Sequence, residues 1–312
     1  MTYKVLITCP PMLRQIEQFR EKFKGLDIDI TTPDVVQTLS VEELIDIVPY
    51  HDGWIIGDDP ATFEVFEAGK AGQLKAAVKW GIGVDNVDFA ACARLSIPIT
   101  NTPGMFGAEV ADLAMCYIIG LARDAFFIDR EVRSGTWPKP AGISLSGKNI
   151  GIVGLGDIGR NIAKRANAHD LNVLGWDPHA NMLPSYIEPQ NDWPSGIEKC
   201  DFVVFACALT HKTLHLFNQS ILKKLKPGVR IINVSRGPLI DEEALLEGIS
   251  SGIVNSAALD VFEREPLEPK HPILVHDRCV LGSHNASNTV DAVIRASNEA
   301  ISLLYKSLHH ES

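Results

Sequence analysis

Residues 148–159 read Lys-Asn-Ile-Gly-Ile-Val-Gly-Leu-Gly-Asp-Ile-Gly, an apolar run that ends in G-x-G-x-x-G. Ile150 to Val153 carry no polar interruption, the pattern of a strand buried on both faces. The glycine signature alone has little weight, but here it follows a strand directly and opens a helix expected to begin near Arg160. In that context Gly154 permits a tight turn, Gly156 lets the backbone approach a pyrophosphate, and Gly159 lets the helix pack on the strand. Asp157 and Ile158 fall at the helix N-terminus, whose free N–H groups and partial positive charge suit phosphate. The next strand, Val173–Trp176, leads into Asp177, eighteen residues after Gly159. A carboxylate there can accept hydrogen bonds from both ribose hydroxyls and repels a 2′-phosphate, which favours NAD over NADP. His179 nearby leaves the strictness of that preference open.

Further strands are expected at 202–205, 230–233, 256–259 and 280–281, so a strand–helix series runs from 148 toward the C-terminus. An earlier series has strands at 4–7, 27–30, 53–57 and 75–80, with helices at 15–23 and 41–48. Such alternation favours parallel sheets covered by helices on both faces. Between the two series, Gly107–Arg123 has a helical pattern that is apolar around most of its circumference, which suits a domain or subunit interface. Two domains also fit a length of 312 residues.

With 46% hydrophobic residues, 22% charged residues and a formal net charge of −10, the composition is ordinary for a globular protein. The negative charge argues against general affinity for nucleic acid or anionic membrane. A small anionic substrate stays open, because one local cation can dominate a cleft. Cys9, Cys92, Cys116, Cys200, Cys207 and Cys279 form no C-x-x-C pair, so no metal site or disulfide framework is expected and the thiols read as reduced. The N-terminus lacks a cleavage-like site, and no run approaches the roughly 18 apolar residues that span a membrane. A cytoplasmic protein is expected.

Three later segments put polar residues at the ends of apolar strands, where open parallel sheets place their ligands. Asn233-Val234-Ser235-Arg236-Gly237 offers a guanidinium for bidentate binding of a carboxylate. Asp260-Val261-Phe262-Glu263-Arg264-Glu265-Pro266 and Ser283-His284-Asn285-Ala286-Ser287 supply carboxylates and an imidazole. Hydride transfer to a ketone needs a proton donor beside the developing alkoxide, and histidine suits that role near neutral pH. A carboxylate on its far nitrogen would hold the tautomer and stabilise the imidazolium. Taken singly, each residue has a plainer reading: a surface ion pair for Arg, a solvated Glu, a capped loop His.

Taken together, the motifs resemble the D-isomer-specific 2-hydroxyacid dehydrogenases. The resemblance runs nearly end to end: KWGIGVDNVD at 79–88, NTPG at 101–104, GIVGLGDIG at 151–159, KPGVRIINVSRGPLIDEEAL at 226–245, ALDVFEREPL at 258–267 and SHNAS at 283–287. It implies an α/β protein of two doubly wound parallel-sheet domains, with an NAD-binding Rossmann domain (102–284) inserted into a flavodoxin-like substrate domain (1–101 and 285–312). It implies that Arg236 orients the substrate carboxylate and carbonyl, that His284 is the proton donor in reduction and the base in oxidation, and that Glu265 is its partner. Asp260, Cys207 and Ser235 would line the cofactor, and the backbone N–H groups of Ile82 and Gly83 would bind the substrate carboxylate. Hinge closure would exclude water, and the Gly107–Arg123 region would build a homodimer.

Several positions depart from the family pattern. Ala206-Cys207-Ala208-Leu209-Thr210 stands where relatives carry H-x-P-L-T, and Cys207 reads more readily as a small buried filler. Asn285 replaces an apolar residue and is expected to cap the following helix rather than touch substrate. Asp58 and Asp59 occupy a loop where phosphoglycerate enzymes often place Arg. Two carboxylates there would repel a phosphate unless Lys79 compensated, by about 1 kcal/mol each in water. A short uncharged side chain on the substrate, as in glyoxylate or hydroxypyruvate, therefore fits better than 3-phosphoglycerate. Formate dehydrogenases share the fold but place Gln where this chain has Glu265. The C-terminal-binding-protein corepressors carry the same triad, which leaves an NADH-sensing interaction protein as the alternative function.

Overall fold

The computed structural model describes residues 2–190 and 192–309. Among these, the strands form two all-parallel sheets, and the chain divides into two compact units, Met1–Phe106 with Asn288–Ser312, and Gly107–Ser287. Each limit of the inserted unit lies a few residues later than the expected 102 and 284.

The first unit contains β1 (Tyr3–Ile7), β2 (Ile28–Thr31), β3 (Gly53–Ile56), β4 (Ala76–Lys79) and β5 (Ile99–Asn101), in the order β2-β1-β3-β4-β5. That is the order of flavodoxin-like sheets. The C-terminal helix Val290–His309 packs on β3 and β4, and its Ser297 hydroxyl accepts the indole N–H of Trp80 at 3.1 Å. The helix expected at 15–23 is instead three short pieces, Pro10–Arg14, Ile16–Gln18 and Arg20–Gly25. Its apolar period survives the breaks, since Met12, Ile16, Phe19 and Phe23 are all buried.

The second unit contains β6 (Asn149–Val153), β7 (Asn172–Trp176), β8 (Ile187–Pro189), β9 (Phe202–Phe205), β10 (Val229–Asn233), β11 (Val254–Leu259) and β12 (Val280–Leu281), in the order β12-β11-β10-β9-β6-β7-β8. The chain leaves β6 in one direction across the sheet and returns at β9 on its other side, so the topological switch point falls between β6 and β9. Both faces are covered, and β9 (Phe-Val-Val-Phe) is buried throughout. Each such side chain contributes roughly 1.5–3 kcal/mol relative to exposure. Helix Gly107–Arg123 packs on helix Asp157–Ala168 and on β10 and β11. It is not buried all round: Ala108, Asp112, Cys116, Ile119 and Arg123 form an exposed stripe.

Candidate active site

The chain leaves β6 through Gly154, whose φ of +94° and close approach to Cys207 exclude any side chain; a Cβ would stand 2.6 Å from the Cys207 nitrogen. The helix that follows starts at Asp157, earlier than the expected Arg160, with Gly156 as its N-cap residue. Gly156 is exposed, and a Cβ there would meet nothing within 4 Å. Open space beside a helix N-terminus fits the diphosphate of NAD. Asp177 accepts the Leu155 N–H at 2.8 Å with one oxygen and the His179 N–H at 2.8 Å with the other, so it also shapes the glycine turn. Arg160, overlooked in the sequence, clamps the turn by donating to the Leu155 carbonyl at 2.8 Å and to that of Asn181 at 2.9 Å.

Ile158 is half-buried in the first helical turn, and Asp157 is exposed at the first helical position, with its side chain turned toward a neighbouring helix. Its carboxylate lies against Gly107, 2.4 Å from where a Cβ would stand, and accepts from Asn161 Nδ2 at 3.1 Å. The start of helix Gly107–Arg123 is a favourable place for a negative charge.

Arg236, Asp260 and His284 follow β10, β11 and β12, which are adjacent and parallel, so all three lie at one edge of the sheet. His284 Nδ1 and Glu265 Oε2 are 2.7 Å apart, with both side chains about one-fifth exposed. The other oxygen of Glu265 accepts the Phe262 N–H at 3.0 Å. The carboxylate therefore calls for the proton on Nδ1. His284 has φ +54°, an uncommon conformation secured by its N–H donating to the Asp260 carbonyl at 2.7 Å. Arg236 Nη1 donates to the Ser235 carbonyl at 2.9 Å.

Asp260 is almost wholly buried, and its carboxylate accepts the N–H groups of Asn285 at 3.2 Å and Ala286 at 2.8 Å, with the Tyr117 hydroxyl at 3.4 Å. It holds the loop bearing His284. Burial and the neighbouring Asp260 charge push the Tyr117 phenol above its usual value, so it stays a donor. Buried Asn233 was also overlooked: its Nδ2 donates to the Arg236 carbonyl at 2.8 Å and its Oδ1 accepts the Ser235 N–H at 3.1 Å. A polar residue closing an otherwise apolar strand was the available signal. The Ser235 hydroxyl donates to the Cys207 carbonyl at 2.5 Å, joining the loops after β10 and β9. Burial pushes the Cys207 thiol up to about 11, so it is an inert thiol at neutral pH.

In the first unit, Ile82 and Gly83 are partly exposed. Asn101 Nδ2 donates to the carbonyls of Gly81 and Ile82, both at 3.3 Å, and Thr102 accepts the Gly81 N–H at 2.9 Å. This gives the NTPG motif a mechanical role. Asp59 is not a ligand-facing charge: it is buried and accepts from the Thr8 hydroxyl, the Leu39 N–H at 2.9 Å and the Gly57 N–H at 3.1 Å. Lys79 is also buried, and its ammonium donates to the Gly57 carbonyl, Asp58 Oδ1 and the Trp80 carbonyl at 2.7, 3.0 and 3.1 Å. Three donors meet three acceptors. Asn285 does not cap the following helix. Thr289 does, its hydroxyl accepting the Ala292 N–H at 3.1 Å.

Among the described residues no cluster of His, Cys, Asp or Glu is placed to hold a metal ion, and no helix is long and apolar enough to cross a membrane. The family profile for "D-isomer specific 2-hydroxyacid dehydrogenase, NAD binding domain" matches residues 115–286. A glyoxylate reductase of Thermofilum pendens is 37% identical over 243 residues, covering 75% of this chain and 71% of the relative. A hydroxypyruvate reductase of Thermotoga maritima is 35% identical over 278 residues, 86% of this chain and 89% of the relative. A crystal structure of a protein from Thermus thermophilus superposes with a TM-score of 0.86 at 29% identity, covering 98% of this chain and 96% of the other. Sequence identity at this level over most of both chains, with a family profile matching more than half of this one, decides the matter: this protein belongs to the D-isomer specific 2-hydroxyacid dehydrogenase family and is an NAD-dependent oxidoreductase.

Proposed function

We propose that the protein interconverts a small, unphosphorylated D-2-hydroxy acid and its 2-keto acid, glyoxylate or hydroxypyruvate being the substrates that fit best. The observation that carries the reading is the 2.7 Å pair of His284 and Glu265 at the sheet edge that also bears Arg236. Arg236 binds the keto-acid carboxylate and orients the carbonyl. NADH, when bound, supplies the hydride. His284 gives the Nε2 proton to the carbonyl oxygen as it becomes an alkoxide, and Glu265 stabilises the ring while it is charged. In oxidation the neutral ring takes the hydroxyl proton back through the same nitrogen. Asp177 favours NADH over NADPH, and Ile82 and Gly83 bind the substrate carboxylate through their N–H groups.

The preference against a phosphate-bearing substrate is supported by Lys79, whose donors are already taken by Gly57, Asp58 and Trp80. Releasing that ammonium would strand buried acceptors. We also read the stripe Ala108, Asp112, Cys116, Ile119 and Arg123 as the face that meets a second copy in a homodimer.

The test is NADH oxidation against glyoxylate, hydroxypyruvate, 3-phosphohydroxypyruvate, pyruvate and branched 2-keto acids. Glyoxylate or hydroxypyruvate should give the highest kcat/KM. A phosphorylated substrate in first place would refute the role given to Lys79. Tight NADH binding without turnover would favour a sensor instead.

A further inference from the structure

We propose that Glu242 and His271 form a positioning pair that fixes the loop carrying Glu265 and, through it, the orientation of His284. This rests on the reading of Glu265 and His284 as the proton-transfer pair.

Glu242 is the first residue of helix Glu242–Ser250, but the helix does not need it. Asp241 is the N-cap, accepting the N–H groups of Glu243 and Ala244. The Glu242 side chain, only 14% exposed, turns toward the 261–266 loop instead. One oxygen accepts the Glu263 N–H at 2.9 Å and the other faces His271 Nε2 at 3.0 Å. His271 Nδ1 accepts the Ile273 N–H at 3.3 Å. With Nδ1 an acceptor, the ring proton sits on Nε2 and is donated to Glu242. Both oxygens and both ring nitrogens are thereby engaged.

Glu263 immediately follows Phe262, whose N–H donates to Glu265, the residue that pairs with His284. The loop is thus tied by successive N–H groups, one to Glu242 and the next before it to Glu265. The Glu263 side chain meanwhile pairs with His215 at 2.9 Å, so its backbone and side chain are held from different directions. A half-buried carboxylate and a tautomer-locked histidine, aimed at a loop N–H two residues from Glu265, are a support for that loop rather than for the helix.

The experiment compares Glu242→Ala and Glu242→Gln, each alone and in a Glu265→Gln background. Glu242→Ala should lower kcat for the preferred keto acid about 10-fold or more while leaving the KM for NADH within about twofold. Glu242→Gln keeps an acceptor for the Glu263 N–H and should recover most of that loss. In the Glu265→Gln background Glu242→Ala should cost less than about a further twofold, because the contact it positions is already gone. Loss that is instead fully additive overturns the proposal. The His284 ring is followed in parallel by NMR titration, which needs no turnover. Its midpoint should move down in Glu242→Ala, toward the value in Glu265→Gln. A wild-type protein inactive on every acid, with that midpoint still moved, would sink the functional reading and support the pairing. An unmoved midpoint overturns the pairing in either case. If Glu242→Ala does not fold, His271→Phe is read out the same way: the same direction of change in kcat and midpoint supports the pair, and no change in either overturns it.

Discussion

Gly237 and Phe262 are in backbone contact: a Cβ at position 237 would stand 1.9 Å from the carbonyl carbon and oxygen of Phe262 and 2.4 Å from the Glu263 nitrogen. The loop after β10 carries Arg236 and the loop after β11 carries Glu265, so this contact sets the spacing of two residues assigned to one reaction. Gly237→Ala must push the loops apart, since the obstacle is backbone and cannot rotate away. We expect a stability loss of about 1–3 kcal/mol. Turnover should fall by more than the unfolded fraction accounts for. Urea unfolding and assays at a temperature where the variant is folded check both, and wild-type turnover would show that the spacing is immaterial.

Asp260 gives a sharper test, because two roles for it predict different kinetics. As organiser of the 284–286 loop it accepts from two backbone N–H groups and the Tyr117 hydroxyl. Asp260→Asn turns an NH2 toward one of those donors and should misplace His284. A fall in kcat of roughly 10- to 100-fold with NADH affinity retained is expected, about 1.4–2.7 kcal/mol in the barrier. Weaker NADH binding at unchanged kcat would assign Asp260 to the cofactor instead.

The same residue shows what the sequence could and could not disclose. Ends of apolar strands point to the one sheet edge where Arg236, Asp260 and His284 fall, and the glycine signature locates the tight turn after β6, because both follow from local pattern and chain direction. Which atoms a buried carboxylate serves does not follow from pattern. Asp59 and Lys79 read as charges available to a ligand, and both are engaged by backbone and side-chain groups of the protein itself. Short strands β5 and β8 were missed because each is only three residues with partly polar faces. Asn285 reads as a cap because it precedes a helix, but the helix starts at Val290 and Thr289 holds the capping position.

Arg236→Ala should lower kcat/KM for the keto acid by about 100-fold or more, since a charge-assisted bidentate pair is lost with no substitute. NADH affinity, measured by fluorescence titration, should hold within about threefold. Arg236→Lys keeps the charge but loses the planar fork, and should recover only part of the loss. Normal turnover in the alanine variant would remove Arg236 from the substrate site.

Asp177→Ala removes two things at once: the carboxylate proposed to face the ribose and the acceptor for the Leu155 N–H. NADH should bind more weakly and the preference over NADPH should shrink, with a stability cost near 1 kcal/mol for the lost hydrogen bonds. Asp177→Asn keeps an acceptor for Leu155 and separates the two effects. A preference unchanged in both variants would assign it to another residue.

His51 sets a pH dependence away from the chemistry. Its ring is buried, with Nδ1 2.9 Å from the Ile47 carbonyl and Nε2 2.7 Å from the Thr31 hydroxyl. Burial is the largest influence and holds the imidazole below its ordinary value, with nearby Lys4 acting in the same direction, against the Ile47 hydrogen bond and Asp52. The folded state therefore binds the proton less readily than the unfolded chain. The stability from the neutral ring is fully present above the unfolded value, about 6.5. It is lost as pH falls from there through the lower folded value, because the unfolded state takes up the proton first. Urea midpoints should fall between pH 7.5 and 5.5 in the wild type. His51→Gln, which keeps a donor and an acceptor but does not titrate, should show a visibly smaller fall over the same interval. Equal slopes in the two proteins would place the acid sensitivity at other groups.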